Sequence, residues 1–375
     1  MRPNPVLRPT AAIIHKDNLI ANYCALRKRA APGAKMLAVV KADAYGHGAI
    51  ETVRALERQG CEFFAVAILE EGLRLRDAGI KSPVLILCGV YPGQAKALVG
   101  FGLTPVVFDL KMARALNAAA KKAGMIKKIH LKLDTGMGRL GILNHEVHPF
   151  IRKLKQLEYL ELEGVLSHFS DMEKEDKGFS KTQLKTFLKS LELIKEAGYN
   201  PPLVHMSNSA VAVDFKDAHF TLVRTGLMLY GSYPSERFKG CIRLEPVMEF
   251  KTRILYLKEI PKGFPVGYGR RFAAKRKTLI AVISAGYADG IPRRVTGKGE
   301  ALVRGKRAPF AGTICMDLAV LDVTDVPEVK TGDEVVVIGA QGPERITVEE
   351  VARWAGTIPY EIFTNISSRV PRVYV

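Results

Sequence analysis

The sequence predicts an α/β protein in two parts: eight strands alternating with helices, the number that closes a (β/α)8 TIM-type barrel, and then a mostly β domain. Three observations carry this. Residues 36–226 repeat a rhythm of short apolar run, turn and helical pattern, and eight such runs occur. After Tyr233-Pro234 the rhythm gives way to short strand-like runs broken by Gly and Pro turns. At 375 residues the chain also exceeds one ordinary domain. The strand count alone leaves an open parallel sheet as the alternative to a closed barrel.

The apolar runs fall at 36–40 (MLAVV), 62–66, 83–87, 104–108, 128–133, 162–167, 203–206 and 221–224. Helical spacing marks 48–59, 110–123 and 180–197. In the last of these, Leu184, Phe187, Leu191 and Ile194 recur as one buried face. The barrel domain is expected over 10–238 and the β-rich domain over 239–375. Residues 234–241 (PSERFKGC) read as a linker. The run 11–15 (AAIIH) precedes the rhythm, so residues 1–15 could pack with the second domain. In that domain, 249–256, 279–284, 300–304, 316–322 and 334–338 read as strands. Only 347–355 reads as a helix, with Thr347 as N-cap and Glu350 completing a capping box.

The composition, 47% apolar and 25% charged, is that of an ordinary globular protein. No run of about 18 apolar residues suggests a membrane span, and MRPNPVLRPT lacks the apolar region of a signal peptide. The five cysteines, Cys24, Cys61, Cys88, Cys241 and Cys315, have neither disulfide nor metal-site spacing. A reducing, cytoplasmic setting without a metal is expected. The net charge is +18, and residues 251–310 hold fifteen Lys or Arg against Glu259, Asp289 and Glu300. Such a field draws in anions. Without aromatic interleaving or a nucleic-acid motif, it reads as a solvated basic face and not a nucleic-acid site.

A barrel places its chemistry at the C-terminal ends of its strands. There the sequence puts Lys41, Arg139, His168, Ser209 and Arg224, a basic set that suits an anionic ligand. Lys41 ends the first run, where partial desolvation can lower an amine's pKa and let it attack an aldehyde. Tyr45 comes four residues later and could offer a hydroxyl to a phosphate. Gly46 and Gly48 allow close backbone approach.

The stretch VVKADAYGHG resembles the pyridoxal-phosphate (PLP) lysine motif of alanine racemases, and LKLDTGMGRLG resembles a second motif of that family. HMSNSA, RTGLMLYG, GYADG, GTICMD, IPYEI and SSRVPR occur in the family's order, so the resemblance spans nearly the whole chain. It implies a PLP barrel with a β domain, a homodimer that shares its sites across the interface, and alanine as substrate. The D-alanine would supply cell-wall peptidoglycan.

By this resemblance Lys41 would carry PLP as a Schiff base and act as one base, and Tyr268 would be the other, supplied across the interface. Inverting a stereocentre needs a base on each face of the reacting carbon. Nearby cations, Arg270, Arg271 or the partner's His168, would lower the Tyr268 phenol. Tyr287 is its rival and is otherwise given the substrate entrance. Arg224 would face the pyridine nitrogen, donating a hydrogen bond without giving up its proton. His168 would bond towards Arg224 and the catalytic tyrosine. Ser209, Gly226 and Leu227, with Tyr360, would hold the phosphate, Ser207 and Ser209 being placed to cap a helix there. Lys132 would be carbamylated and orient Arg139, which would contact the PLP phenolate and the substrate carboxylate. Met316 would offer its N–H to that carboxylate. The chain ends at SSRVPRVYV, where several relatives carry an aromatic at Ser368 and a longer tail. A serine racemase, a decarboxylase of this fold type, a barrel-only PLP carrier and a nucleic-acid binder are the competing readings.

Overall fold

In the computed structural model, which describes residues 8–375, the chain forms two compact units. One comprises Ile20–Ala44 and Gly48–Leu244. The other comprises residues 8–19, Tyr45–His47 and Glu245–Val375. The first strand, β1 (Ala11–Ile14), lies in the second of these.

The first unit is a nearly closed barrel of eight parallel strands. These are β2 (Lys35–Val39), β3 (Phe63–Val66), β4 (Val84–Ile86), β5 (Thr104–Val107), β6 (Lys127–Lys132), β7 (Leu160–Leu166), β8 (Leu203–His205) and β9 (Leu222–Thr225). Their spatial order is β8-β7-β6-β5-β4-β3-β2-β9. At the seam the Thr221 N–H donates to the Val204 carbonyl at 3.1 Å. Strands β3, β4 and β5 are buried along their whole length. Helices cover such strands outside and side chains fill the barrel inside, so they read in sequence as unbroken apolar runs. All eight runs expected from the sequence are strands. The parallel register brings Lys132, Leu166 and His205 to one level, and Leu37 opposite Arg224.

Two expectations for this unit need correction. Helix Gly178–Glu196 buries Phe187 and Ile194 as expected, but Leu184 and Leu191 are only half-buried. Gln183 takes the inner position because its amide bonds the His168 carbonyl at 3.2 Å and accepts from Ser170 N–H at 3.1 Å. The stretch 234–241 is no free linker. Phe238 is fully buried, and Arg237 bonds Asp214 at 2.5 Å and the Met172 carbonyl at 3.0 Å.

The second unit is built on β10 (Met248–Ile260), β11 (Pro265–Val266), β12 (Phe272–Ala273), β13 (Thr278–Ile283), β14 (Glu300–Val303), β15 (Lys306–Pro309), β16 (Ala319–Asp322), β17 (Glu334–Gln341), β18 (Glu344–Ile346) and β19 (Arg372–Tyr374). The 13-residue β10 organises it. Its first half pairs with β1 and β17. Beyond a register shift between Ile254 and Tyr256, its second half pairs with β13. β1 therefore joins this sheet, antiparallel to β10 and parallel to β19. The expected strand 316–322 begins only at Ala319. Thr347 and Glu350 form the expected capping box for helix Val348–Ala355, at 3.2 and 3.1 Å. A second helix, Pro359–Asn365, was not anticipated. At seven residues it is too short for a periodic signal, though its leading proline is a helix-start residue. Arg271, Arg293, Arg294 and Lys298, part of the basic surplus, line an open basin of about 480 Å3.

The five cysteines are unpaired. Among the described residues no helix is long and apolar enough to cross a membrane, and no group of three or more His, Cys, Asp or Glu is placed to hold a metal ion.

Candidate active site

Lys41 leaves the barrel directly after β2, half-buried at the strand's C-terminal end. The next four residues adopt an unusual backbone. Ala42, Asp43, Ala44 and Tyr45 have φ values of 50°, 54°, 55° and 54°, a left-handed turn made without glycine. Each such residue costs roughly 1–2 kcal/mol. Specific bonds offset this. Ala42 N–H donates to Glu71 Oε1 at 2.6 Å, and Asp43 takes Ala49 N–H on its side chain at 3.0 Å and Gly48 N–H on its carbonyl at 2.9 Å. The turn fixes the direction in which Lys41 leaves its strand. Gly46 serves a different purpose from the expected ligand approach. A Cβ there would lie 2.4 Å from the Phe363 carbonyl oxygen, at a φ of 79°, so it is the chain's own backbone that needs the space.

Arg224, on β9, is 5% exposed. Its Nη1 donates to His205 Nδ1 and to the His205 carbonyl, each at 3.0 Å. Its Nη2 reaches the Ser167 carbonyl at 2.9 Å, His168 Nδ1 at 3.2 Å and the Met206 carbonyl at 3.2 Å. Among the described residues its Nε–H has no hydrogen-bond partner. Burial, then Arg224, Lys132, Arg139 and Lys41, holds the His168 imidazole well below its ordinary value. A neutral His168 that accepts on Nδ1 carries its proton on Nε2 and is a donor there.

Just past β8 and β9, Ser209 Oγ accepts the Gly226 N–H at 2.8 Å, and Ser207 Oγ accepts the Arg224 N–H at 3.0 Å. Neither serine caps the helix Ser209–Asp214. Asn208 does so, taking Val211 N–H at 3.0 Å, because the serines are held by the β9 end. Leu227 opens a 3-10 turn directly after Gly226, and N–H groups at a helix start lack partners within the helix.

Lys132, the last residue of β6, is buried at 8% exposure. Burial first, then Arg224 and Arg139, lowers its amine to about 8. Arg139 is exposed on the loop beyond. Asp134 shapes that loop, its carboxylate accepting N–H bonds from Gly136, Met137, Gly138 and Arg139 at 2.9–3.1 Å. Burial raises the Asp134 carboxyl, but these four donors together hold it below its ordinary value.

The remaining candidates lie in the second unit. Tyr45 is buried against Tyr360, with ring centroids 5.9 Å apart, and burial followed by Tyr360 raises its phenol. Tyr268 is 74% exposed on a short turn anchored by a bond from the Thr313 hydroxyl to the Tyr268 carbonyl at 2.8 Å. Tyr287 and Met316 neighbour each other. Tyr287 N–H donates to Cys315 O and Ala288 N–H to Met316 O, both at 3.0 Å. Gly286 permits this, since a Cβ there would sit 2.4 Å from both carbonyl oxygens. Sequence reasoning missed His205 and gave Ser207 a cap it does not form, although both interrupt or succeed an apolar run at its functional end.

Residues 14–234 match the family described as alanine racemase, N-terminal domain, and residues 247–374 match alanine racemase, C-terminal domain. The chain belongs to the alanine racemase family. It is 45% identical to an alanine racemase from Geobacter sulfurreducens, over 98% of this chain and 97% of that one. It is 41% identical to alanine racemase 2 of Caldanaerobacter subterraneus subsp. tengcongensis, over 98% and 95%. Among solved structures, the alanine racemase of Streptomyces lavendulae superposes with a TM-score of 0.94 at 35% identity, covering 99% and 98% of the two chains. That of Bacillus anthracis, solved with bound L-Ala-P, gives 0.93 at 34%, covering 99% and 96%. Alanine racemases are isomerases and work with PLP. The donor set here fits such a group: an amine at a strand end, a buried guanidinium with a free N–H, and a hydroxyl beside a glycine-led turn. The acid of the β6 loop, Asp134, is engaged by the backbone N–H groups of its own loop.

The Asp134 anchor gives a pH-dependent expectation. Its folded carboxyl lies below the unfolded value of about 3.9, so it stabilises the fold above that pH and the gain fades as pH falls through the folded value. Urea unfolding of Asp134→Asn should show lower stability than the parent at pH 7 and a narrowing gap below about pH 4. A gap constant with pH would contradict the assignment.

Proposed function

We propose that the chain interconverts L- and D-alanine in the cytoplasm with PLP, that Lys41 and Tyr268 are its two bases, and that the D-alanine feeds peptidoglycan synthesis. The observation that carries this is the group at the barrel rim: Lys41 leaves β2, Arg224 bonds His168, and Lys132 and Arg139 act on His168 electrostatically. The C-terminal match at 247–374 favours a racemase over a decarboxylase or a barrel-only carrier.

When bound, PLP supplies the electron sink that makes the substrate α-proton removable. The chain's residues do the rest. Lys41 Nζ takes or gives the proton on one face and Tyr268 Oη on the other. Tyr268 belongs to a second chain of a homodimer, a role its exposure supports. Arg224 offers Nε–H to the ring nitrogen and keeps its own proton, which limits side reactions. His168 Nε2–H is directed to the catalytic tyrosine. Ser209 with the Gly226 and Leu227 backbone holds the phosphate, and Tyr45 and Tyr360 add hydroxyls. Arg139 and Met316 bind the substrate carboxylate. Among the described residues the Met316 N–H has no hydrogen-bond partner, which supports its share. Tyr287 stands at the entrance.

Lys132 is carbamylated in this reading. An amine lowered to about 8 is neutral often enough near pH 7 to take up CO2, and the anion formed would offset Arg224 and Arg139. With 13C-bicarbonate, a carbamate carbon signal should appear in the parent and vanish in Lys132→Ala; its persistence in the variant would refute the modification at this site.

The reaction is tested by tracking the PLP-loaded protein with L-alanine in D2O. D-alanine should accumulate with deuterium at the α-carbon and without pyruvate or CO2. Lys41→Ala should lose both turnover and the visible absorbance of lysine-bound PLP. Turnover of serine but not alanine would overturn the substrate, and CO2 release would overturn the reaction.

Shared sites make a separate prediction. Lys41→Ala and Tyr268→Phe chains should each be inactive, yet regain part of the parent activity when mixed, because heterodimers hold one intact site. Verified heterodimers without activity would place both bases in one chain.

A further inference from the structure

Behind Arg224, within the barrel unit, three polar side chains from β6, β7 and β8 form a continuous hydrogen-bonded column. Arg224 Nη1 meets His205 Nδ1 at 3.0 Å, and His205 Nε2 meets His130 Nδ1 at 2.8 Å. His130 Nε2 meets Glu163 Oε2 at 3.3 Å, and Lys128 Nζ holds the other Glu163 oxygen at 2.8 Å. Both imidazoles are fully buried and Glu163 is 9% exposed. The two-base mechanism uses none of His130, Glu163 and His205.

The ends of this column determine its middle. Arginine only donates, and an ionised carboxylate only accepts. His205 must therefore accept on Nδ1 and carry its proton on Nε2. His130 must do the same, and its Nε2–H donates to Glu163. We propose that Glu163 is a positioning residue for the reaction, setting through His130 and His205 the direction of hydrogen bonding that keeps Arg224 in place as a donor towards the cofactor ring. This rests on the proposed pairing of Arg224 with the ring nitrogen.

Charge states support the polarity. Burial would raise Glu163, but bonds from His130 and Lys128 bring it down to about 2. Burial is the leading cause that lowers both imidazoles, so they stand neutral between an anion and a cation. Packing supports it too. Gly164 lies opposite His130 in the β6–β7 register, and a Cβ there would come within 2.5 Å of the His130 ring. Glycine at this point of a buried strand leaves the ring room to stay in line.

Lys128 gives the test its sharpness. In Glu163→Gln the amide oxygen is drawn to Lys128, which can only donate, so the amide NH2 turns to His130. That reverses the column and sets a His205 Nδ1–H against Arg224. In Lys128→Met/Glu163→Gln the amide is free to turn back.

The experiment is 15N NMR of the histidine-labelled, PLP-loaded enzyme, paired with racemisation kinetics. In the parent, His130 and His205 should both show protonated Nε2 and bare Nδ1. E163Q should show protonated Nδ1 and lose about tenfold in kcat with KM for alanine nearly unchanged, the scale of disturbing a partner behind a reacting group. K128M should resemble the parent, and K128M/E163Q should recover both the tautomer and most of kcat. A bare Nε2 or a charged ring in the parent, or an E163Q enzyme with parental tautomers and kcat, overturns the inference. Should no protein racemise alanine, the proposed function fails while the tautomers still judge the column.

Discussion

A guanidinium inside a β-barrel is the constraint around which this site is built. A buried, unpaired cation is costly, and among the described residues no carboxylate touches Arg224. Its charge is met by dipoles instead: the Ser167, His205 and Met206 carbonyls and the lone pairs of His168 and His205. Those carbonyls lie at or just past the C-terminal ends of β7 and β8, where the chain turns. Ser207 then binds the Arg224 N–H and Ser209 the Gly226 N–H, so the same turn that solvates the cation also shapes the adjoining rim. A directly paired Asp or Glu would be simpler electrostatically. It would also weaken the field at the rim, where Arg224 helps to hold His168 and Lys132 towards their neutral forms.

The acids near the rim obey the same logic. Glu71 takes the backbone N–H groups of Ala42 and Ala67, Asp43 that of Ala49, and Asp134 four N–H groups of its own loop. Each carboxylate is an anchor for backbone. The left-handed turn after Lys41 is held by two of them, and the Arg139 loop by the third. Rigid loops and a cationic rim thus come from one set of residues. Such a rim suits a phosphate and a carboxylate held together.

Much of this was legible in the sequence. The barrel strands announced themselves because burial on both faces leaves little room for polar residues, and the basic rim because Lys41, His168, Ser209 and Arg224 each lie at or just past the end of an apolar run. Thr347 and Glu350 are three apart, so their capping box is a local fact. What was hidden is non-local. Asn208 caps where Ser207 and Ser209 were expected to, because β9 claims both serines. Gln183 displaces leucines from a helix's inner face because the His168 carbonyl needs a donor. Gly46 faces Phe363, more than three hundred positions away, and no pattern around VVKADAYGHG carries that information. The left-handed turn at Ala42–Tyr45 runs against local propensity, so only its tertiary anchors explain it.

The column from Arg224 to Glu163 belongs to this hidden class, and its energetics bear on its purpose. A barrel interior is ordinarily filled by layers of branched apolar side chains. Replacing buried ionic networks with apolar residues of similar volume is often neutral or stabilising. Stability alone is thus a weak reason for two imidazoles and a carboxylate in these strands. An apolar filling would, however, take away the ring acceptor of Arg224 Nη1 and leave it the His205 carbonyl alone. The column supplies that acceptor without bringing an anion to the rim. The carboxylate stays at the far end, tied to Lys128, and only its polarity is passed forward, through two rings whose protons have a single consistent arrangement. Donor direction is thereby set with no acid placed beside the guanidinium, which a single adjacent carboxylate cannot achieve.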